Sequence, residues 1–290
     1  MTMPLSPDTI QQFQSHIRKR RAMNRRDLPW RHTTDPYKIW ISETMLCQTQ
    51  VSRVVNYYTD WMRRFPTVED LASASTTDIL SARSGLGYNS RGLRVLQAAK
   101  IIVNSCHPEF ISGSLLKKDS GSSPEWQASF PNTYESLIAL PGVGDYVANA
   151  ILAFAYNQDV AVIDTNIRRI LIHTFALDEK ISLKDLKVIA LEVLPRGHAR
   201  ERYNALMDYG ALELTAKKSG IRPLTRQSQF EWSRRQVRAW IVKQLVEQKN
   251  LTMHDVIARF PDRDDLQSIV DDLVKNNLVY YRNWTFIFHD

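Results

Sequence analysis

The 290-residue chain contains only two cysteines, Cys47 and Cys106. Two thiols exclude a disulfide-rich scaffold and are too few for a four-cysteine metal or iron–sulfur site. The chain also lacks a long hydrophobic run, because no apolar stretch approaches the roughly 20 residues that span a membrane. Residues 1–12 show no basic segment followed by an apolar core, so we expect no secretory signal and a cytoplasmic protein.

The composition is otherwise that of a folded protein with an excess of positive charge. Lys and Arg number 38 against 31 Asp and Glu, which gives a net charge of +7. Two basic runs, Arg18 to Arg31 and Lys217 to Lys243, contain one acidic residue each, Asp27 and Glu231. Either run alone could be a solvated helix face. Together, on both sides of the candidate catalytic residues, they favour nucleic acid as a partner.

The pattern of apolar residues predicts a mainly α-helical protein. Asp35 and Pro36 can cap a helix of about 15 residues, and a Ser-, Gly- and Pro-rich segment at 105–131 is expected to be a surface loop. Further helices are predicted by apolar spacing at 8–22, 51–64, 67–74, 76–82, 90–104, 145–156, 183–194 and 199–213.

The sequence pattern changes after Gln229. Helices at 231–248, 253–259 and 263–275 precede two short strands at 278–281 and 285–288. Three helices and a hairpin are typical of a winged helix, a module that often reads DNA with its third helix. Here that helix is acidic and phosphates would repel it, so we interpret the module as a packing or partner-binding element. Its acidic residues are Asp262, Asp264, Asp265, Asp271 and Asp272.

The segment Leu140-Pro141-Gly142-Val143-Gly144 joins two predicted helices, the first capped by Asn132 with Glu135. Its glycines allow positive φ and close backbone approach. The amides that begin the following helix lack helical partners and lie at the positive end of its dipole. We therefore predict that Gly142, Val143 and Gly144 bind a DNA phosphate, although a plain helical hairpin would give the same pattern.

Eight sequence blocks occur together in one order along the chain. They are Leu28 to Arg31, Asp35 to Tyr37, Ser42 to Val51, Phe65 to Thr67, Gly85 to Tyr88, Leu140 to Gly144, Asp164 to Asn166, and Met207 to Ala211. This set resembles one family, the helix–hairpin–helix (HhH-GPD) DNA glycosylases, and within it the adenine glycosylases of the MutY type. The resemblance covers about residues 25–230.

The resemblance implies a two-lobed helical glycosylase fold followed by the small winged-helix-like module. One domain would comprise residues 1–34 plus 157–230, as a counterpart of the family's iron–sulfur domain without the cluster. A second would comprise 35–156, with the helix–hairpin–helix at 133–156, and the module would comprise 231–290. The resemblance also implies a monomer that binds double-stranded DNA and no membrane, with a protein partner for the module left open.

Glu43 is the first candidate catalytic residue. It lies on the apolar stripe of its helix, with Ile39 and Trp40 one turn before it and Leu46 and Cys47 one turn after it. Burial there should raise the pKa of the carboxyl, so that it holds a proton near neutral pH. The resemblance implies that it protonates a purine ring nitrogen. A paired core glutamate is the alternative.

Asp164 is the second candidate. It precedes a predicted helix, whose first amides would keep the carboxylate ionised. The resemblance implies that Asp164 stabilises the sugar cation, electrostatically or as a transient covalent partner, and that Asn166 positions it. A simple helix cap is the alternative reading.

Tyr146 stands where lyase-competent relatives carry the lysine that forms a Schiff base. Without an amine nucleophile, β-elimination has no obvious first step. The resemblance therefore implies a monofunctional glycosylase that leaves an abasic site. A buried core aromatic is the alternative for this residue.

The remaining candidate residues rest on the resemblance alone. Gln48 and Tyr88 match the residues that insert into DNA when the base is extruded. The predicted base pocket consists of Arg26, Leu28, Trp30, Arg31, Leu46 and Asp208.

The chain departs from the family at the iron–sulfur cluster. The family spacing Cys-x6-Cys-x2-Cys-x5-Cys falls on Leu214, Ile221, Leu224 and Phe230. We predict that a small hydrophobic core replaces the cluster, and that the only ion would be a monovalent or alkaline-earth ion at the hairpin. The module after residue 230 also differs from the domain with which adenine glycosylases recognise 8-oxoguanine.

The sequence thus predicts a nucleoid-associated, monofunctional adenine DNA glycosylase of base excision repair that acts on adenine opposite 8-oxoguanine or guanine. A thymine or uracil mismatch glycosylase is the first alternative, because such enzymes share the triplet Asp164-Thr165-Asn166 and a hairpin tyrosine. A DNA-damage-binding protein without catalysis is the second.

Overall fold

The structure is a computed structural model that describes residues 5–86, 89–105, 130–223, 229–248, 251–276 and 278–288. Tyr88, Leu224 and nearly all of the predicted 105–131 insertion lie outside these residues. The described part is mainly helical, which confirms the predicted fold class. No helix within it is long and apolar enough to cross a membrane.

The chain forms two compact units, the first of which consists of Met1–Cys47, Asn132–Ala139 and Val143–Arg226. Its centre is made by two almost fully buried helices that pack on each other, α2 (Pro36–Leu46) and α8 (Asp145–Phe154). Its described helices are α1 (Pro7–Met23), a 3₁₀ turn (Pro29–Arg31), α2 (Pro36–Leu46), α7 (Tyr134–Ile138), α8 (Asp145–Phe154), α9 (Thr165–Thr174), α10 (Leu183–Val193), α11 (Ala199–Leu212) and α12 (Ala216–Ser219).

The second unit consists of Gln48–Pro131, Leu140–Gly142 and Gln227–Asp290. Its described helices are α3 (Val51–Arg64), α4 (Val68–Ser73), α5 (Thr76–Ala82), α6 (Asn89–Ser105), α13 (Arg234–Gln248), α14 (Met253–Arg259) and α15 (Leu266–Lys275). Its strands are β1 (Leu251–Thr252), β2 (Val279–Arg282) and β3 (Thr285–Phe288), which form an antiparallel sheet in the order β1-β3-β2.

The C-terminal residues contain the three helices and the hairpin that led to the winged-helix prediction. The core of this region also includes Leu80 of α5 and Leu93 of α6, which pack with Val237, Ile241 and Leu245 of α13. The module therefore shares one hydrophobic core with helices from the middle of the chain.

The contacts divide the chain differently from the predicted domain boundaries. Helices α2 and α8, which we expected in a domain at 35–156, belong to the first unit because each buries its apolar surface against the other. Residues 231–290, which we expected to be a separate module, belong to the second unit, because α13 packs against α5.

The turn before α8 has the predicted positive φ and close approach at Gly142 but not at Gly144, which has φ −95° and no atom within 4 Å of the position of a Cβ. Gly142 has φ +81°, and a Cβ at this position would lie 2.9 Å from the Cβ of Arg94. The helix before the turn is capped by Thr133 with Ser136, so the predicted cap by Asn132 with Glu135 is wrong by one residue. Thr133 supplies the extended backbone and the hydroxyl that accepts from the amide of Ser136.

Candidate active site

Glu43 lies near the end of α2 and is only 3% exposed. α2 packs against α8, and the hydroxyl of Tyr146 on α8 donates a 2.7 Å hydrogen bond to Oε2 of Glu43. The apolar stripe correctly predicted that this carboxyl is buried. Its hydrogen-bond partner is more than one hundred residues away in the sequence.

Burial raises the pKa of Glu43 to about 7, against the hydrogen bond from Tyr146 and the charge of Arg31, which lower it. The charge of Asp164 raises this pKa further, which places the two carboxyl groups in one electrostatic environment. The pKa of Tyr146 lies well above its ordinary value because of burial and the nearby carboxylates. Tyr146 is therefore a neutral donor, and Glu43 can hold a proton near neutral pH.

Asp164 is the N-cap of α9, as its position in the sequence predicted. Its Oδ1 accepts a 2.6 Å hydrogen bond from the amide of Ile167, and its Oδ2 accepts one of 2.8 Å from Nδ2 of Asn166. Burial nevertheless raises the pKa of Asp164, because the hydrogen bonds and the charge of Arg169, which lower it, do not outweigh desolvation. The hydrogen bonds of the cap lower the pKa of Asp164, as expected, but burial raises it by more.

Asn166 is itself held by a buried arginine that sequence reasoning missed. Nη2 of Arg169 donates to Oδ1 of Asn166 at 2.7 Å and to the carbonyl of Gly210 at 2.6 Å, while its Nε donates to the carbonyl of Leu214 at 2.7 Å. This network orients the Asn166 amide so that its nitrogen faces Asp164. The Asn166-x-x-Arg169 spacing on one helix face was the only sequence signal for it.

A cavity of about 20 Å³ lies beside Glu43 and has room for about one water molecule. Two predicted pocket residues, Trp30 and Arg31, line it. Sequence reasoning missed the others, which are Thr33, Ile39, Ser42, Phe154, Arg200 and Asn204. A purine is much larger than this cavity, so its walls would have to move before a base could contact Glu43.

Three predicted pocket residues form an ion-pair cluster within the first unit. Asp208 is 2% exposed and accepts two hydrogen bonds from Arg31, at 2.6 and 2.8 Å, and one from Nε of Arg26 at 2.5 Å. Arg31 thereby connects this cluster to the cavity beside Glu43. Leu28 is buried before the 3₁₀ turn and Leu46 is partly buried at the end of α2, and neither lines the cavity.

The residues predicted to contact DNA are placed as follows. Gln48 is exposed and has φ +64°, an uncommon conformation for a residue with a side chain. Val143 is buried, so only its backbone is available. Gly144 is the N-cap of α8 and provides no side-chain cap. Gly144 therefore leaves the first amides of α8 without a capping side chain, and a phosphate site at this helix end requires such uncapped amides.

The residues at the cluster-cysteine positions do not form one core. Leu214 and Ile221 are buried, but Phe230 is 52% exposed and lies under the guanidinium of Arg235. The prediction of a four-residue core is therefore wrong for Phe230, because about half of its side chain remains exposed to solvent. Within the described residues, no group of three or more His, Cys, Asp or Glu side chains could hold a metal.

Residues 41–196, more than half of the chain, match the HhH-GPD superfamily of base excision DNA repair proteins. The chain belongs to this superfamily. The family assignment made from the sequence blocks is thus confirmed. The match includes Glu43, Tyr146 and Asp164, so the two carboxyl groups and the tyrosine lie in the part of the chain that defines the family.

Curated relatives and a solved structure support the same assignment. An adenine DNA glycosylase of Buchnera aphidicola is 33% identical, and the match covers 70% of this chain and 53% of that protein. The adenine DNA glycosylase of Homo sapiens is 34% identical, and the match covers 83% of this chain and 41% of that protein. The chain therefore spans about half the length of these relatives. The structure of a thermostable thymine-DNA glycosylase is 25% identical, with a TM-score of 0.60 over 73% of this chain and 90% of that one.

Proposed function

We propose that this HhH-GPD protein is a monofunctional adenine DNA glycosylase of base excision repair. Its substrate would be double-stranded DNA with adenine opposite 8-oxoguanine or guanine. The observation that carries the proposal is the buried Glu43, with a pKa of about 7 and a tyrosine hydroxyl on one oxygen. The names of the curated relatives support adenine as the base.

Breaking the C1′–N9 bond of a deoxyadenosine leaves the bonding electron pair on the base. An adenine anion is a poor leaving group, so Glu43 would transfer its proton to a ring nitrogen as the bond breaks. The deoxyribose becomes cationic, and the carboxylate of Asp164 would stabilise it until water adds at C1′ and loses a proton. A transient covalent bond from Asp164 to C1′ is the alternative, and a trapped covalent intermediate would favour it.

The reaction is proposed to end at the abasic site. Tyr146 occupies the position of the lyase lysine, and its phenol already donates to Glu43. A phenol has no amine nitrogen, so it cannot form a Schiff base with the sugar aldehyde. Borohydride added during turnover should therefore trap no covalent protein–DNA product, whereas substantial trapping would contradict this part of the proposal.

The test of the whole proposal is the release of labelled base from four matched duplexes that contain A:8-oxoG, A:G, T:G or U:G. Release of adenine from the first two is expected. A mismatch thymine or uracil glycosylase remains the second candidate, favoured by the structural likeness to a thymine-DNA glycosylase and by Asp164-Thr165-Asn166 with Tyr146. Release of thymine or uracil alone would reverse the order of the two.

We further propose that the protein folds and acts without an iron–sulfur cluster, as a monomer associated with the nucleoid. Buried Leu214 and Ile221 occupy two of the cysteine positions and would stabilise this region by apolar burial, at about 1.5–3 kcal/mol for each side chain. Iron and sulfide at stoichiometric levels in protein that was purified with reductant would overturn the proposal.

A further inference from the structure

A basic groove of about 840 Å³ lies within the second unit. One wall comes from residues 48–50, 53, 84–86, 89 and 90, and it includes Gln48 and Arg53. The other wall comes from α13 and carries Arg235, Arg238 and Lys243. Four cations and no carboxylate are found among the described residues that line this α13 groove.

The positive charges of α13 lie on different faces of the helix and have different partners. Val237, Ile241 and Leu245 point into the hydrophobic core. Arg234 pairs with two acids near α15, Asp265 at 3.0 Å and Asp272 at 2.8 Å, and does not line the groove. Arg234 thus partly neutralises the acidic charge of α15, the helix that we expected phosphates to repel, and it does so outside the groove.

The three groove-facing cations follow helical spacing. Positions 235, 238, 239, 242 and 243 all line the groove, which is the i, i+3, i+4, i+7 pattern of one helix face. Arg235 and Lys243 are eight residues apart, about 12 Å along the helix axis. That distance matches the axial rise of about three to four phosphates on one DNA strand.

The charges on this face are accessible to a ligand. Lys243 makes a 3.7 Å pair with Glu247 in which both side chains are more than half exposed, and such a pair holds a lysine weakly. The guanidinium of Arg235 lines the groove and lies 6.0 Å from the centre of the Phe230 ring. On the facing wall, Arg53 donates to the carbonyl of Gly85.

We propose that α13 binds the DNA backbone, and that the α13 groove takes phosphates of the duplex that carries the damaged pair. The inference deepens the proposed function by assigning a DNA-binding role to the C-terminal module, through its first helix and not its third. Gln48, exposed and with positive φ, lies on the opposite wall, so a duplex contacted by Gln48 would also lie against α13.

The test compares two triple variants of the full chain with the same change in charge. Arg235→Gln/Arg238→Gln/Lys243→Gln removes the groove cations. Arg259→Gln/Lys275→Gln/Arg282→Gln removes three exposed cations of the same region that do not line the groove. Affinity for an undamaged duplex of about 30 base pairs is measured over a range of salt concentrations.

The groove variant should bind about 10- to 100-fold more weakly, and its slope of log K against log salt should fall by about 2–3. The control variant should change both quantities by much less. Arg235→Lys/Arg238→Lys should restore most of the slope, because it keeps the charge, and thermal unfolding checks that all variants fold. Equal losses in both triples, or an unchanged slope in the groove variant, would overturn the inference.

Two further arms identify the ligand. Inorganic phosphate at constant ionic strength should compete only weakly with the duplex, because one phosphate cannot span the cations. Tight binding of polyglutamate that depends on the same residues would indicate an acidic protein partner and would overturn DNA as the ligand. Because these measurements need no base release, a wild-type protein that binds through the groove but releases no adenine would defeat only the proposed function.

Discussion

The hydroxyl of Tyr146 donates its hydrogen bond to Oε2 of Glu43, the carboxyl whose pKa burial raises to about 7. The two effects oppose each other, because burial favours the protonated acid and the hydrogen bond favours the carboxylate. The balance keeps the pKa of Glu43 close to neutral pH, where a general acid is most effective.

Glu43→Gln should reduce single-turnover adenine release by about 10²- to 10⁴-fold, since the amide keeps the shape but cannot supply the proton. The measurement is release of labelled adenine from a duplex at enzyme excess. Glu69→Gln, at an exposed residue of α4, is the matched control and should leave the rate unchanged. A rate in Glu43→Gln close to that of wild type would remove Glu43 from the mechanism.

The stability of the wild type should fall with rising pH more than that of Glu43→Gln. The folded-state pKa is raised from 4.5 to about 7, so the folded protein retains a proton that the unfolded chain loses. The contribution of Glu43 is therefore complete below about pH 4.5, is lost as the pH rises to about 7, and amounts to about 3 kcal/mol. Urea unfolding of both proteins between these pH values measures it, and parallel curves would contradict the assignment.

Tyr146→Phe should shift the pH at which the single-turnover rate declines, which Glu43 sets, to a higher value. The lost hydrogen bond lowered the pKa of Glu43, so the acid should remain protonated further into the alkaline range. Single-turnover rates of the wild type should decline as the pH rises through about 7, and those of the variant should decline later. Tyr134→Phe, which removes a 3.0 Å bond to Asp145, is the control. A uniform loss of rate at every pH would indicate a purely structural role for Tyr146.

Gly210→Ala should slow base release through Asn166. A Cβ at residue 210 would lie 2.7 Å from the Cβ of Asn166 and would displace the amide that donates to Asp164. Misplacement by a fraction of an ångström to an ångström predicts a loss of about 10- to 100-fold. In a double-mutant cycle, Gly210→Ala should cost little more when Asn166→Ala is already present. Additive losses would show that the two residues act independently, and Leu212→Ala, exposed on the same helix, serves as the control.

Asp208→Asn should destabilise the fold by about 3–5 kcal/mol, because it leaves the buried charge of Arg31 without its bidentate partner. Glu201→Gln, which breaks a partly exposed pair with Arg21, should cost less than about 1 kcal/mol. The free energies of unfolding in urea measure both. Similar small costs would mean that the buried cluster contributes little.

Local chemistry in the sequence predicted most helices and the identity of the reactive groups. The helices at 51–64 and 76–82 have the predicted ends, because the signals for them are local. The first has apolar residues at helical spacing, Val54, Tyr58 and Trp61, and the second has a capping box made by Ser75 and Asp78. The helix from Pro36 ends earlier than expected, at Leu46, because Cys47 leaves helical geometry and Gln48 takes positive φ. Nothing in the local pattern marks that turn.

The sequence by itself determined the helical fold class, the caps such as Asp164, the burial of Glu43 and the superfamily. Only the tertiary structure decided that Tyr146 bonds Glu43, that Asp208 sits between Arg26 and Arg31, that Arg169 links Asn166 to Gly210, and that Phe230 is exposed. The physical reason is distance along the chain. Caps and amphipathic faces depend on residues within one or two turns, whereas these contacts join segments that meet only when the helices pack.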